Sequence, residues 1–349
     1  MEYHEQQRRE NIRKLRELIF ELPEFCVDYF RGIEPTTAER TRLGYAHDLR
    51  IFFQFLLEYE PSLQGKTMHE ITLEDLKRIG SQQIELFLDY LSFYSKPGED
   101  EEYQNGERGK ARKISAVRSL FKYFYKKELL PANPAQLVPT PKIHDKNIIR
   151  LDTDEIARML DEVESGEKLT ERQQKYHEHT KIRDLALVTL LLGTGMRVSE
   201  CVGLDLTDID FANNGLRIVR KGGNQTILYF GSEVEDVLKD YLPWRKQIEA
   251  VPGHENALFL SMQRKRLTVR AVENLVKKYA RTVTQLKNIS PHKLRSSYGT
   301  ALYNETGDIY LVADVLGHKD VNTTRKHYAQ IEENRRRGAA NAIHLRKDE

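Results

Sequence analysis

From Thr36, the run TTAERTRLGYAHDLRIFFQFLLEY sets Leu43, Ala46, Leu49, Phe53, Leu56 and Leu57 three or four residues apart, the period of an amphipathic helix. SQQIELFLDYLSFY repeats the pattern with Ile84, Phe87, Leu88 and Leu91, and Ser81 suits its cap. The charged, glycine-bearing stretch KPGEDEEYQNGERG reads as a loop. After it, KARKISAVRSLFKYFYKKELL puts Ile114, Val117, Leu120, Phe121 and Phe124 on one side and cations on the other. Prolines from Pro131 to Asn147, without apolar periodicity, mark a boundary. LDTDEIARML restarts a helix behind Asp152 or Thr153, and the polar piece at 163–181 reads as an acidic surface insertion. IRDLALVTLLLGTG predicts a buried helix ended by glycines. LRIVRKGGNQTILYFG alternates around Gly222-Gly223, the pattern of a β-hairpin. Helices fill the rest. The expectation is a mainly α chain with a small β-hairpin or sheet. It divides into a helical domain over 1–138 with an extension at 1–22, a linker over 139–150, a second domain over 151–335, and a tail over 336–349. In that tail Ala339, Ala342 and Ile343 stand at helical spacing.

Length supports the division, because 349 residues are many for one core. No stretch approaches the ~20 apolar residues of a membrane helix. The start, MEYHEQQRRENIRKL, lacks the apolar core of a signal peptide, so a cytoplasmic protein away from membranes is expected. Cys26 and Cys201 form no CxxC pair, and the HEH at 177–179 sits in a polar segment that reads as a solvated face; neither zinc nor a disulfide framework is suggested. The net charge of +2 hides an asymmetry. Met262 to Ala329 holds thirteen Lys or Arg against five Asp or Glu, whereas Leu151 to Lys181 holds nine acids against five bases. A basic half of this kind is compatible with a polyanion-binding face.

Several positions have an ordinary reading singly and a chemical one jointly. Arg197 in GTGMRVSE stands three residues before Glu200, an i,i+3 ion pair by default. Lys221 occupies a hairpin tip, where a lysine is usually solvated. In SPHKLRSS, Ser290 and Pro291 specify a helix start, and His292 and Arg295 share one face a turn from the N-terminus, where anions are favoured. His318 follows Gly317, a natural helix stop. Tyr328 would by default be a core or interface aromatic. Together they offer two permanently charged guanidinium groups, two imidazoles, a lysine and a phenol, a set suited to attack on a phosphodiester. No carboxylate cluster for Mg²⁺ and no GxxxxGK[ST] loop accompany them, so neither a metal nor a nucleotide cofactor is expected.

TGMRVSE, SPHKLRSSYGTAL and VLGHKDVNTTRKHYA, in this order, resemble the main boxes of the tyrosine recombinases, the phage-integrase family, and within it the chain is most similar to the Xer-type resolvases. The likeness runs from about Thr36 to Glu333. It implies a SAM-like core-binding domain over 1–138 and a catalytic domain over 151–335. Tyr328 would attack the scissile phosphate to leave a 3′-phosphotyrosyl link. His292 would take or store the proton, Arg197, Arg295 and His318 would meet charge on the non-bridging oxygens, Glu200 would orient Arg197, and Lys221 would protonate the leaving 5′-oxygen. No cofactor is implied. The implied partners are double-stranded DNA carrying a recombination site, gripped as a clamp, and further subunits in a homo-tetramer, or a hetero-tetramer with a second recombinase, acting through a Holliday junction. The tail would dock on a neighbouring subunit, and a DNA translocase is a further candidate partner. Lys110, Arg112, Lys113 and Arg118 are the expected DNA contacts of the first domain. Chromosome dimer resolution is the expected role. Integration or excision of a mobile element, a type IB topoisomerase and a catalytically silent DNA-binding regulator are the alternatives.

Overall fold

A computed structural model describes residues 3–95, 101–144, 149–220, 223–318 and 320–321. The chain forms two compact units, residues 1–146 and 147–349. Lys221, Tyr328 and the expected tail at 336–349 lie outside the described residues.

The first unit is built from helices α1 (Tyr3–Ile19), α2 (Cys26–Gly32), α3 (Glu39–Tyr59), α4 (Leu73–Lys77), α5 (Ser81–Tyr90) and α6 (Glu107–Lys126). A two-residue antiparallel ribbon, β1 (Tyr94–Ser95) with β2 (Glu102–Tyr103), precedes α6. Ile114, Val117, Leu120, Phe121 and Phe124 of α6 are all buried, as their spacing predicts. On α3 the apolar face is wider than one stripe: Phe52 and Phe55 are buried beside Ala46, Leu49, Phe53 and Leu56. Phe52 meets Phe87 edge-on with ring centroids 5.1 Å apart, a geometry that suits the ring quadrupoles. Of the expected extension, residues 3–22 are an integral part of this core. α1 lies along α3 and buries Leu15 and Leu18, with Leu22 behind them.

The second unit begins where Leu151 is buried and its N–H donates to Ser297 Oγ at 2.9 Å. Helix α7 (Thr153–Ser165) starts behind Asp152, whose N–H is taken by Glu155 Oε2 at 2.9 Å. It stops at Gly166, in the left-handed region at φ 71°. Thr170 then caps α8 (Glu171–Thr194), a continuous helix of 24 residues. The stretch at 163–181, expected as a surface insertion, is mostly exposed but closes α7 and opens α8. Val163, Leu169, His177 and Thr180 are buried, and the acidic piece ends as the first turns of the same helix that carries the apolar run. The polar groups among these enter the core because they bond one another. Tyr279 donates its hydroxyl proton to Asp184 Oδ2 at 2.9 Å. His177 Nδ1 stands 3.0 Å from the same hydroxyl, Thr180 donates to Asp184, and Arg183 pairs with it. Since the single phenolic proton goes to Asp184, the imidazole N–H is the donor to Tyr279. Of the HEH triplet, His177 is therefore inside the protein, while Glu178 and His179 are exposed.

Beyond α8 come α9 (Val198–Gly203) and a three-stranded antiparallel sheet in the order β3 (Ile209–Asp210), β4 (Gly215–Val219), β5 (Gln225–Tyr229). The β4–β5 register, Gly215 opposite Tyr229 to Val219 opposite Gln225, is that of a hairpin. Helices α10 (Ser232–Lys246), α11 (Val269–Val283), α12 (Pro291–Thr306) and α13 (Ile309–Leu316) complete the unit. The observed class is mainly α with small antiparallel sheets. Among the described residues no helix is long and apolar enough to cross a membrane.

Candidate functional site

Three helix ends of the second unit meet around one short stretch of backbone. The first is the exit of α8. Gly195 closes that helix in the left-handed region at φ 61° and turns the chain into Arg197, the residue before α9. Glu200, on the first turn of α9 and buried, reaches back with both oxygens. Oε2 accepts from the Arg197 N–H at 2.8 Å and Oε1 from its Nη1 at 2.8 Å. The i,i+3 pair is thus real and also does something more specific: it fixes main chain and guanidinium together at a helix start.

The second is the entrance of α12. Ser290 is the cap residue and Pro291 takes the first helical position, where its missing N–H costs nothing. His292 is exposed on the first turn; Arg295, one turn on, is buried. A buried guanidinium must fill its donors. Arg295 Nη1 donates to the Gly195 carbonyl at 2.6 Å and Nη2 to the Leu316 carbonyl.

The third is the exit of α13. A helix leaves its last carbonyls without partners in the helix. Here every one of them is accounted for. Gly317, at φ 60°, donates its N–H to Asp314 O at 2.8 Å, and His318 N–H donates to Ala313 O at 2.9 Å. Each of the next three carbonyls receives a guanidinium from a different element. Val315 O accepts from Arg220 Nη2 at 3.0 Å, Leu316 O from Arg295, and Gly317 O from Arg197 Nη2 at 3.2 Å. Cations at a helix C-terminus oppose the negative end of its dipole. Arg197 is also paired with Glu200, and all three guanidinium groups stay protonated at any working pH.

The structure therefore brings together Arg197, Glu200, Arg295 and the turn that carries His318, and sets His292 one turn before Arg295. Lys221 and Tyr328 lie outside the described residues; the chain on the near side of Lys221 is held at the site by Arg220. Sequence reasoning missed Arg220. Its available signal was adjacency to Lys221 in the hairpin, and nothing in the spacing shows a side chain reaching across to residue 315. Among the described residues no cluster of His, Cys, Asp or Glu could hold a metal ion. What the arrangement can do is grip an anion having several oxygens through fixed donors.

Residues 150–335 match the model of the phage integrase family. The chain belongs to that family. As a tyrosine recombinase it is 31% identical over 330 residues to tyrosine recombinase XerC of Caldanaerobacter subterraneus subsp. tengcongensis, covering 92% of this chain and 85% of that protein. To XerC of Pelotomaculum thermopropionicum it is 29% identical over 297 residues, covering 84% of this chain and 88% of the relative. The fold is shared with the site-specific recombinase XerH bound to its difH substrate, at a TM-score of 0.60 and 21% identity over 85% of this chain and 79% of that one. It is also shared with a lambda integrase dimer bound to a COC' core site, at a TM-score of 0.57 and 15% identity over 85% and 94%.

In the first unit of this recombinase the α6 cations divide. Lys110 is half-buried and donates to Ser92 Oγ at 2.6 Å, while Arg112, exposed, pairs with the buried Asp48. Lys113 is buried, bonded to Asn105 Oδ1 at 3.0 Å and 3.8 Å from Asp48. Arg118 donates to Ala135 O at 3.1 Å, to Thr140 Oγ1 at 2.5 Å and to Val138 O, fastening the segment after α6. Of the four expected DNA contacts, Lys113 is buried and Arg118 half-buried, each bonded to acceptors within the first unit. A helical stripe of cations cannot show which of them fold inward. Burial pushes the Asp48 carboxyl above its usual range against the pull of Arg112 and Lys113.

Proposed function

We propose that this recombinase performs site-specific recombination on double-stranded DNA through a covalent phosphotyrosine. The observation that supports it most is the convergence of Arg197 and Arg295 on the adjacent carbonyls of Gly317 and Leu316, immediately before His318. Two forks of N–H donors anchored on neighbouring backbone oxygens are preorganised for one phosphate, and donors fixed in advance need no rearrangement as charge develops.

Tyr328 Oη forms the bond to phosphorus as the bond from phosphorus to the 5′-oxygen breaks. His292 accepts the phenolic proton, because a phenol of pKa ~10 is scarcely ionised at neutral pH. Arg197, Arg295 and His318 take the growing charge on the non-bridging oxygens, and Glu200 keeps Arg197 aimed. Lys221 gives its proton to the departing 5′-oxygen. The phosphotyrosyl ester keeps the strand's bond energy, so a 5′-hydroxyl from a second duplex can reverse the step without ATP. Neither metal nor cofactor enters the scheme.

The proposal extends to a tetramer on DNA, of this chain alone or with a second recombinase, working through a Holliday junction in the cytoplasm. Similarity to XerC over most of the chain supports chromosome dimer resolution as its role, with a DNA translocase as a candidate partner. A nicked suicide duplex tests the chemistry. Wild type should give a denaturation-resistant protein–DNA adduct and Tyr328→Phe none; an adduct of equal yield with Tyr328→Phe overturns the assignment. For the role, deletion of the gene should produce filamentous cells with unresolved chromosomes, and normal division would remove it.

A further inference from the structure

We infer that Arg220 is a positioning residue for the reaction. It ties the strand end that leads to Lys221 to the helix end that leads to His318, so that leaving-group acid and anion-binding turn are set by one guanidinium. The inference rests on the reading of Lys221 as the acid.

Arg220 is held at both of its ends. Its main chain belongs to the hairpin: its N–H donates to Asn224 O at 2.8 Å and its carbonyl accepts from Gly223 N at 3.0 Å. The side chain leaves the hairpin altogether. Nη2 donates to Val315 O at 3.0 Å, with a longer contact of 3.5 Å from Nη1 to Asp314 O, across 95 and 94 positions of sequence. The fit is close. A β-carbon at Gly317 would lie 2.0 Å from Nη1 and 2.4 Å from Cζ of Arg220, so the glycine is needed for this packing as well as for its positive φ. Nε is buried and has no hydrogen-bond partner among the described residues.

Chemistry supplies a reason for such a tie. A proton donor must come within about 3 Å of the oxygen it protonates, yet a lysine has four rotatable bonds. Consecutive α-carbons are ~3.8 Å apart, so anchoring Arg220 restricts where residue 221 can begin. The anchor is also the backbone next to Leu316 and Gly317, which Arg295 and Arg197 grip. One element thereby serves as common reference for the acid and the anion site.

The test separates positioning from simple helix capping by changing the leaving group. A suicide duplex is first selected from a randomised pool by covalent capture with wild type. It is then made with oxygen or with sulfur at the bridging 5′-position of the scissile phosphate. A thiolate, with a thiol pKa of ~8.5, leaves without a proton donor. On the oxygen duplex, Lys221→Ala should slow adduct formation by ~10²–10⁴-fold, the usual share of general acid catalysis. Arg220→Ala should slow it by ~10–100-fold, and Arg220→Lys, which keeps one donor, by less. On the sulfur duplex all three should return to within ~3-fold of wild type. Denaturation midpoint and duplex binding are recorded alongside; if Arg220→Ala does not fold, Arg220→Lys and Arg220→Gln carry the comparison. An Arg220 defect that persists on sulfur while Lys221→Ala is rescued overturns the positioning role, as does a wild-type rate on oxygen. Failure of sulfur to rescue Lys221→Ala removes instead the assignment of the acid.

Discussion

Gly195 and Tyr298 approach so closely that a β-carbon on the glycine would lie 2.3 Å from Cδ1 of the ring. Together with φ 61°, this leaves no other residue a comfortable fit at the turn whose carbonyl receives Arg295. Gly195→Ala should cost about 1–3 kcal/mol of stability through backbone strain, before any displacement of the ring. Pairing it with Tyr298→Ala should recover only the part due to the collision. An unchanged denaturation midpoint in the single variant would refute the packing argument.

Arg197→Ala should lower the rate of covalent adduct formation by ~10²–10³-fold, the cost of losing one preorganised donor at a developing oxyanion. Binding of intact duplex should fall far less, because most of that affinity comes from other phosphates. Single-turnover trapping on the suicide duplex, beside a filter-binding titration, checks both. Equal losses in the two assays would make Arg197 a binding residue only.

Salt should weaken the complex strongly. With 6–10 phosphate contacts the affinity for duplex is expected to drop ~10³–10⁵-fold between ~50 and ~200 mM monovalent salt. A flat titration over that range would contradict a DNA-binding protein of this kind.

The α6 cations should split by experiment as they do by structure. Arg118→Ala, which releases three oxygen acceptors after α6, should lower the thermal midpoint while leaving the salt slope of DNA binding unchanged. Lys110→Ala should do the reverse, lowering the slope by about one charge. The pattern exchanged between the two variants would make Arg118 the DNA contact and Lys110 the fastener.

Acid should loosen the second unit through His177. Burial holds its imidazole below the usual 6.5, so between that lowered value and 6.5 the unfolded chain binds the proton that the folded one refuses. This contribution to stability is complete above pH 6.5 and is lost as pH falls through the depressed value. Urea midpoints from pH 7 down to pH 5 should fall more steeply for wild type than for His177→Gln. Parallel curves would exclude His177 as a source of the slope.

Periodicity made the α6 core and the α13 stop legible, because Ile114 to Phe124 follow one stripe and Gly317 is a residue the left-handed turn demands. Motif spacing pointed to Arg197, Arg295 and Glu200, which the fold does assemble around one helix end. Tertiary compensation was less visible. Asp184, Tyr279 and His177 satisfy one another inside the protein, yet the hydrophilic stretch around His177 looks like surface in one dimension. Lys113 and Arg118 carried the same ambiguity, since a charged side chain that folds inward and one that faces solvent have identical letters. Arg220 was hidden because its partners are peptide oxygens, which every residue possesses.

That last property bears on how α13 can be altered. Since the three arginines address main-chain oxygens at 315, 316 and 317, they are indifferent to which side chains the helix displays, provided the turn keeps its shape. Outward positions such as Tyr310, Leu311 and Asp314 are free to drift or be redesigned, for instance toward a new neighbour, with the reaction centre left intact. The exposed face of one short helix can thus vary while the shape of its end is kept.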